Sequence, residues 1–320
     1  MIPMKTAVVT GGAGFIGSHL VDELLNRNFQ VWVYDDFSSG SRRNLECHHD
    51  SPHLELVSGS LLDESTLHQV VQGKDVVFHC AANSDIAKGI ADTTLDYQSG
   101  LRGTLNLLET LRTSGTNNLV FLSSSAVYGL IDSAASESSG PLLPVSIFGA
   151  SKVAAEAFIG SYSRLFGLRS LIFRLGNVVG SRMGRGVISD FLSKLSENSS
   201  SLKILGDGHQ RKSFVHVRDV ISGIFHVMNI SHLTDDRPCD VYNLATGTST
   251  DVLSIAKFVQ MHLHIPSMKI ESDSSGKAGD QPHIILDVTK IRNTGWEPSM
   301  LSDEAIQLAI RQLDEESTLK

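Results

Sequence analysis

The chain of 320 residues is 41% apolar and 19% charged, with a formal net charge of −8. These proportions belong to a globular protein with a large core, and without a long basic block nucleic acid is not an expected partner. No apolar run approaches the roughly 20 residues that cross a bilayer, so no membrane partner is expected either.

Residues 1–10 lead into a strand with no basic region, apolar segment or cleavage site ahead of it. Cys47, Cys80 and Cys239 stand at unrelated spacings that fit neither a disulfide framework nor a zinc pattern. A cytoplasmic protein without a metal is the expectation. Ala7 to Thr10 reads as a short buried strand, followed by Gly11-Gly12-Ala13-Gly14-Phe15-Ile16-Gly17 and a helical pattern from Ser18 to Asn26. Gln30 to Asp35 is a second strand, ending in an acid.

Strand, glycine turn, helix and strand make a βαβ unit in which each glycine has a task. One permits the tight turn, one lets backbone N–H groups approach a pyrophosphate, and Gly17 lets helix and strand pack closely. The helix start then faces the phosphate charge. Asp35, 18 residues after Gly17, is spaced to accept hydrogen bonds from adenosine ribose hydroxyls. A glycine turn alone is often only structural; here strand, helix and acid agree on a dinucleotide. Asp35 repels a 2′-phosphate and favours NAD over NADP, with Arg42 and Arg43 arguing the other way.

The alternation continues with strands from Leu54 to Gly59, Asp75 to Cys80 and Asn118 to Ser123, and helices from Asp63 to Val71 and Asp96 to Thr113. Repeated βα units with apolar strands imply a parallel sheet covered on both faces. Ligands of such sheets sit at the carboxyl ends of the strands. That rule gathers Gly11 to Gly17, Asp35, Ser60, Leu61, Ala81, Ala82 and the run Ser123-Ser124-Ser125 at one crevice.

Several motifs carry a family resemblance: Thr10 to Gly17, Asp35-Asp36-Phe37-Ser38-Ser39-Gly40, Val77 to Ala82, Ser123 to Gly129, Gly149-Ala150-Ser151-Lys152, Arg174 to Gly180 and Gly206-Asp207-Gly208. Over nearly its full length the chain resembles the extended short-chain dehydrogenase/reductases, and within them the nucleotide-sugar epimerase/dehydratase family typified by UDP-glucose 4-epimerase. The resemblance implies an α/β fold: a Rossmann-type doubly wound parallel sheet with a smaller interleaved C-terminal substrate domain. The NAD-binding domain is expected over 1–175 with a return segment at about 214–245, and the substrate domain over 176–213 and 246–320. NAD is the implied cofactor. Its implied contacts are Gly11, Gly14, Phe15, Ile16, Gly17, Asp35, Asp36, Ser38, Ser39, Gly40, Ser60, Leu61, Cys80, Ala81, Ala82, Ser123 and Lys152. Helices near 96–113 and 151–166 resemble those that pair in related homodimers.

In this family hydride passes from a sugar carbon to the nicotinamide while a base takes the hydroxyl proton. The keto-sugar then turns over and takes the hydride back on its other face. A tyrosinate is the base, and bringing its pKa from about 10 to neutrality takes about 4 kcal/mol. The lysine ammonium and the nicotinamide charge supply that field. The resemblance assigns the lysine to Lys152 and the serine that bonds the reacting oxygen to Ser124, with Ser125 its rival.

Position 148, where tyrosine is expected, is Phe148. Losing a positioned base costs about 10²–10⁴ in rate. Two explanations stand: a natural replacement, or a substitution made to hold substrate; the intact Gly149 to Lys152 favours the second. Tyr128 is a weak stand-in, His79 reads as a core histidine, and Cys80 as an unreactive lining residue. Ser60 and Gly100 also depart from the family pattern, where aspartate and asparagine are frequent. Gly100 puts a water-mediated proton relay in doubt.

On the substrate side the resemblance places Asn177 at the diphosphate, Val187 and Phe191 over the base, and Lys212 and Lys277 as diphosphate cations, with Ser124, Ser125 and Phe148 at the sugar. The bland alternative for these cations is a solvated surface. Asp219 is expected to cap a helix beginning near Val220. A nucleotide-diphosphate sugar, UDP-linked, is the expected partner, and 4-epimerisation the expected reaction. A 4,6-dehydratase ranks lower, because Ser125-Ala126 follows Ser124 where that class carries Asp-Glu. A catalytically silent NAD-binding protein is the third reading, motivated by Phe148.

Overall fold

The computed structural model describes residues 5–318 apart from 84, 232, 274–278 and 280. By internal contacts the chain forms two compact units. The first comprises Met1–Gly129, Pro141–Arg174 and Val227–Tyr242, the second Leu130–Gly140, Leu175–His226 and Asn243–Lys320.

The first unit is built on β1 (Thr6–Thr10), α1 (Phe15–Asn26), β2 (Gln30–Asp35), β3 (Leu54–Ser58), α2 (Glu64–Val71) and β4 (Val76–His79). It continues through α3 (Ile86–Ala91), α4 (Thr93–Leu95), a π-helical stretch Asp96–Arg102, α5 (Gly103–Ser114), β5 (Asn118–Ser124), α6 (Ile147–Phe166) and β6 (Arg169–Leu175). With the later strand Cys239–Leu244 (β11), these strands form one seven-stranded sheet in the order β11-β6-β5-β4-β1-β2-β3. β1 pairs in parallel with both β2 and β4, and the chain order reverses there, between β1 and β4. Such a switch point is where doubly wound sheets bind ligands. The strands read as apolar runs because both faces are covered: Val8, Val77 and Phe121 join Leu67, Leu107, Leu111 and Ile159 from the helices in one buried cluster.

The second unit pairs β7 (Asn177–Val179) in parallel with β10 (Phe214–His216), and β8 (Ser201–Leu205) in parallel with β13 (Lys269–Asp273). β9 (Arg211–Lys212) lies between β12 (Thr250–Asp251) and β14 (His283–Ile284). Around these strands run α7 (Val187–Glu197), α8 (Val217–Ile230), α9 (Val252–His262), α10 (Thr289–Arg292) and α11 (Ser302–Thr318). α7, α9 and α11 pack on one another through buried residues such as Ile188, Ile255, Ile306 and Ile310.

Two expectations are corrected. The 96–113 segment is not one α-helix: its first seven residues are π-helical, a widening that a period-3.6 reading cannot separate from an α-turn and that recurs at functional sites. Asp219 is not an N-cap, because α8 begins at Val217. Its carboxylate instead accepts from the Ser299 N–H at 3.0 Å and hydroxyl at 2.7 Å, fixing a distant loop.

Candidate active site

The glycine turn is held by backbone packing that leaves no room for side chains. A Cβ on Gly11, whose φ is +68°, would stand 2.7 Å from the Ala81 backbone. One on Gly17 would overlap the Gly11 carbonyl oxygen. α1 therefore starts hard against the turn. No side chain caps it, and no acid lies in its first turn, so the positive end of the helix is uncompensated. That is the arrangement that receives a pyrophosphate.

At the end of β2 the Asp35 carboxylate is buried. Its Oδ2 accepts from the Ala13 N–H at 2.9 Å and its Oδ1 from the Phe37 N–H at 2.8 Å. Burial raises its pKa, and the two amides oppose that shift. Two bonds leave lone pairs on both oxygens for hydroxyl donors. Gly40 passes so close that a Cβ there would lie 3.0 Å from Oδ2. Asp36 turns away and accepts from Ser38 instead. Arg42 lies 4.3 Å over the Phe37 ring. The Tyr34 hydroxyl donates to the Ser60 carbonyl at 2.7 Å, and the Leu61 carbonyl accepts from Asn106.

Next along the strand ends, desolvation pushes the Cys80 thiol up to about 12, so it is no nucleophile. His79 is wholly buried between two threonines. Its Nε2 meets the Thr104 hydroxyl at 3.0 Å, and that hydroxyl already donates to the Gly100 carbonyl. Nε2 therefore carries the proton, and Nδ1 accepts from Thr10 at 2.7 Å. Burial, with Lys152 nearby, drops the ring to about 3. His79 is a neutral brace.

The chemistry-bearing residues converge where β5 meets α6. Ser146 caps α6 by accepting from the Gly149 N–H at 3.0 Å, which places Phe148 in the first turn and Lys152 one turn on. Lys152 is only 4% exposed. Its ammonium donates to the Leu122 carbonyl at 2.8 Å and lies 4.5 Å from the Phe121 ring centre and 5.8 Å from that of Phe148. Desolvation lowers its pKa to about 8, against the pull of Cys80, Glu156 and Asp96. Ser124, ending β5, accepts from the Ala126 N–H at 3.2 Å. Ser125 is buried in the short helix Ser125–Tyr128.

Beneath these groups lies a charged network missing from the sequence reading. Ser123 donates to Glu156 at 2.5 Å, and Glu156 takes a forked pair from Arg174 at 2.7–3.1 Å. Arg174 also donates to the Tyr128 hydroxyl at 3.1 Å. Ser123 thus faces Glu156, and Tyr128, a weak stand-in for the base, is committed to Arg174. Two signals pointed here: a lone charge inside the apolar run of β6, and a glutamate one helical turn after Lys152.

The remaining candidates lie in the second unit. Asn177 starts β7, its N–H donating to the Ser213 carbonyl at 2.8 Å. Val187 opens α7 half-buried, whereas Phe191 is 2% exposed and belongs to the core. Lys212 is half-buried in β9, while its neighbour Arg211 is tied to Ser249 and Asp251. Lys277 lies outside the described residues.

A doubly wound sheet with an uncapped glycine turn at its switch point and a buried lysine at its β5 end defines an NAD-binding short-chain dehydrogenase/reductase. Residues 7–245 match the NAD dependent epimerase/dehydratase family. The chain is 30% identical to UDP-glucose 4-epimerase of Mycolicibacterium smegmatis over 310 residues, covering 95% of this chain and 96% of that one. Its structure is similar to that of UDP-glucose 4-epimerase from Thermotoga maritima with UDP-glucose (TM-score 0.87, 28% identity, 98% and 100% of the two chains). It is equally similar to dTDP-glucose 4,6-dehydratase from Streptomyces venezuelae with NAD bound (TM-score 0.88, 29% identity, 98% of each chain). The chain belongs to the NAD-dependent epimerase/dehydratase family of nucleotide-sugar enzymes, and its cofactor is NAD.

Proposed function

We propose that this chain binds a UDP-linked sugar beside NAD in a 4-epimerase site that works through a transient 4-keto sugar, with turnover held down by Phe148. The observation that carries this reading is the buried Lys152 ammonium. It is tethered to Leu122 and faces an aromatic ring in the position of the family's base. Bound NAD supplies reversible two-electron oxidation of a sugar carbon.

The protein's own groups do the rest. Gly11 to Gly17 and the start of α1 receive the pyrophosphate, and Asp35 the adenosine ribose. Lys152 orients the nicotinamide ribose and supplies positive charge. The Ser124 hydroxyl bonds the reacting sugar oxygen, while Asn177, Val187 and Lys212 hold the nucleotide diphosphate. Phe148 preserves packing but offers no oxygen to take the proton, a loss of about 10²–10⁴ in rate. Three free cysteines suit a reducing cytoplasm. Exposed Phe158, Leu165 and Phe166 on α6 suit a homodimer interface.

Proton-coupled C4 inversion followed by NMR, on UDP-glucose and UDP-N-acetylglucosamine, tests the assignment. The Phe148→Tyr variant is expected to gain about 10²–10⁴ in turnover; a variant that binds NAD and sugar yet stays silent defeats it. A silent binding protein is the second reading, favoured by Gly100. An added Cβ there would stand 2.6 Å from the Ser151 hydroxyl, so an asparagine fits only if Ser151 moves. By resemblance the site thus departs from the family at positions 100 and 148.

A further inference from the structure

Asp22 on α1 and Cys47 and His48 on the short helix Arg42–His48 bring one oxygen, one sulfur and one nitrogen within 4.8 Å of one another. His48 Nε2 and Asp22 Oδ1 are 2.8 Å apart, both side chains are partly exposed, and Cys47 is exposed. None of the three belongs to the NAD or sugar contacts described above. The local sequence Cys47-His48-His49-Asp50 extends the same donor chemistry. Cysteine spacing alone concealed the cluster, because its ligands come from two separated segments.

We propose that Asp22, Cys47 and His48 form a peripheral site for a zinc-class divalent cation. The donor set selects the metal. Thiolate and imidazole suit a borderline cation such as Zn²⁺, whereas Mg²⁺ and Ca²⁺ demand oxygen ligands. Zinc bonds of about 2.0–2.3 Å place tetrahedral ligand atoms about 3.3–3.6 Å apart. The exposed Cys47 side chain has freedom to close inward by the roughly 1 Å required, and the shared His48–Asp22 proton gives way to the cation. The thiol proton goes to solvent, as does the extra proton of an imidazolium, while a neutral imidazole keeps its proton on Nδ1 and ligates through Nε2, so binding strengthens as pH rises. Water fills the fourth position.

The site has a structural consequence. The Ser41 N–H and the Asn44 side chain both bond the Ala13 carbonyl, at 2.9 Å each, and Ala13 in turn bonds Asp35. A cation joining α1 to the Arg42–His48 helix would tie down the segment that flanks the adenosine end of the NAD turn.

The test is Zn²⁺ titration of the full-length, reduced, chelator-treated protein without NAD or sugar, followed by metal analysis after desalting. One zinc per chain is expected, with Cys47→Ser and Asp22→Asn each binding at least tenfold more weakly and Cys239→Ser binding like the parent. Loading with Co²⁺ should give a thiolate-to-metal absorption band that Cys47→Ser lacks. Because Cys47 is exposed, that variant is expected to keep its fold, checked by circular dichroism. No zinc retained, or binding unchanged in both ligand variants, overturns the site. Neither outcome depends on whether the protein epimerises a sugar.

Discussion

The glycine turn after β1 and the start of α6 lie at strand ends of the same sheet and are built differently. At the turn, close-packed glycines, an uncapped helix and an acid ending β2 stand together. At α6 Lys152 is tethered to the Leu122 carbonyl, Ser124 ends β5, position 148 carries a phenyl ring without an oxygen, and Gly100 packs on Ser151. Cofactor binding depends largely on backbone shape, and proton transfer depends on one side-chain atom. On the proposed function, a single change at position 148 affects the chemistry more than the binding.

The largest effect is expected beneath the β5–α6 junction. Glu156 and Arg174 are both nearly buried and paired at 2.7 Å. Glu156→Ala would strand the Arg174 charge and the Ser123 hydroxyl, at about 3–5 kcal/mol. Urea unfolding should report that loss, with Glu156→Gln recovering part of it. A loss under 1 kcal/mol would mean the network is not what supports the β5–α6 junction.

A second effect separates the two ends by pH. Lys152 is held at about 8 against an ordinary 10.5 by burial. Its folded pKa lies below the unfolded one, so the cost of burying its charge is fully present below about pH 8. That cost shrinks as pH rises toward 10.5 and is gone above it. The window spans roughly 3 kcal/mol. Lys152→Met should therefore be more stable than the parent at pH 7, with the gap narrowing toward pH 9 in parallel denaturant titrations. Cys80, raised to about 12 by burial and held down by the Lys152 charge, opposes this trend above about pH 9 and rises further in the variant, so the comparison is read between pH 7 and 9. A gap that does not change with pH would show that Lys152 is not desolvated in the free protein.

Much of this division was legible in the sequence. β2 was placed residue for residue, because its apolar run ends at an acid, and the glycine spacing identified the turn. Phe148 was visible as a departure from pattern. What remained hidden depended on distance across the fold. Glu156 and Arg174 meet from a helix and a strand 18 positions apart; each is conspicuous alone, but nothing in the sequence pairs them. The π-helical turn at Asp96–Arg102 leaves the hydrophobic pattern unchanged. Phe191 was assigned to a ligand by resemblance, yet its place in the α7 core follows from packing with later elements.

The smallest effect concerns the turn itself and asks whether its backbone suffices. Asp35 already accepts from Ala13 and Phe37, so its carboxylate has a structural task apart from any ribose. Asp35→Asn keeps one acceptor oxygen and the side-chain shape while removing the charge. If the carboxylate also receives ribose hydroxyls, the lost charge-assisted bonds are worth about 1.5–3 kcal/mol, or about 10–100-fold in NAD affinity. The same change relaxes the repulsion of a 2′-phosphate, so NADP should lose less than NAD. Fluorescence titration with both dinucleotides gives the ratio. If both weaken equally, Asp35 acts only by bracing Ala13 and Phe37, and the preference for NAD lies elsewhere in the turn.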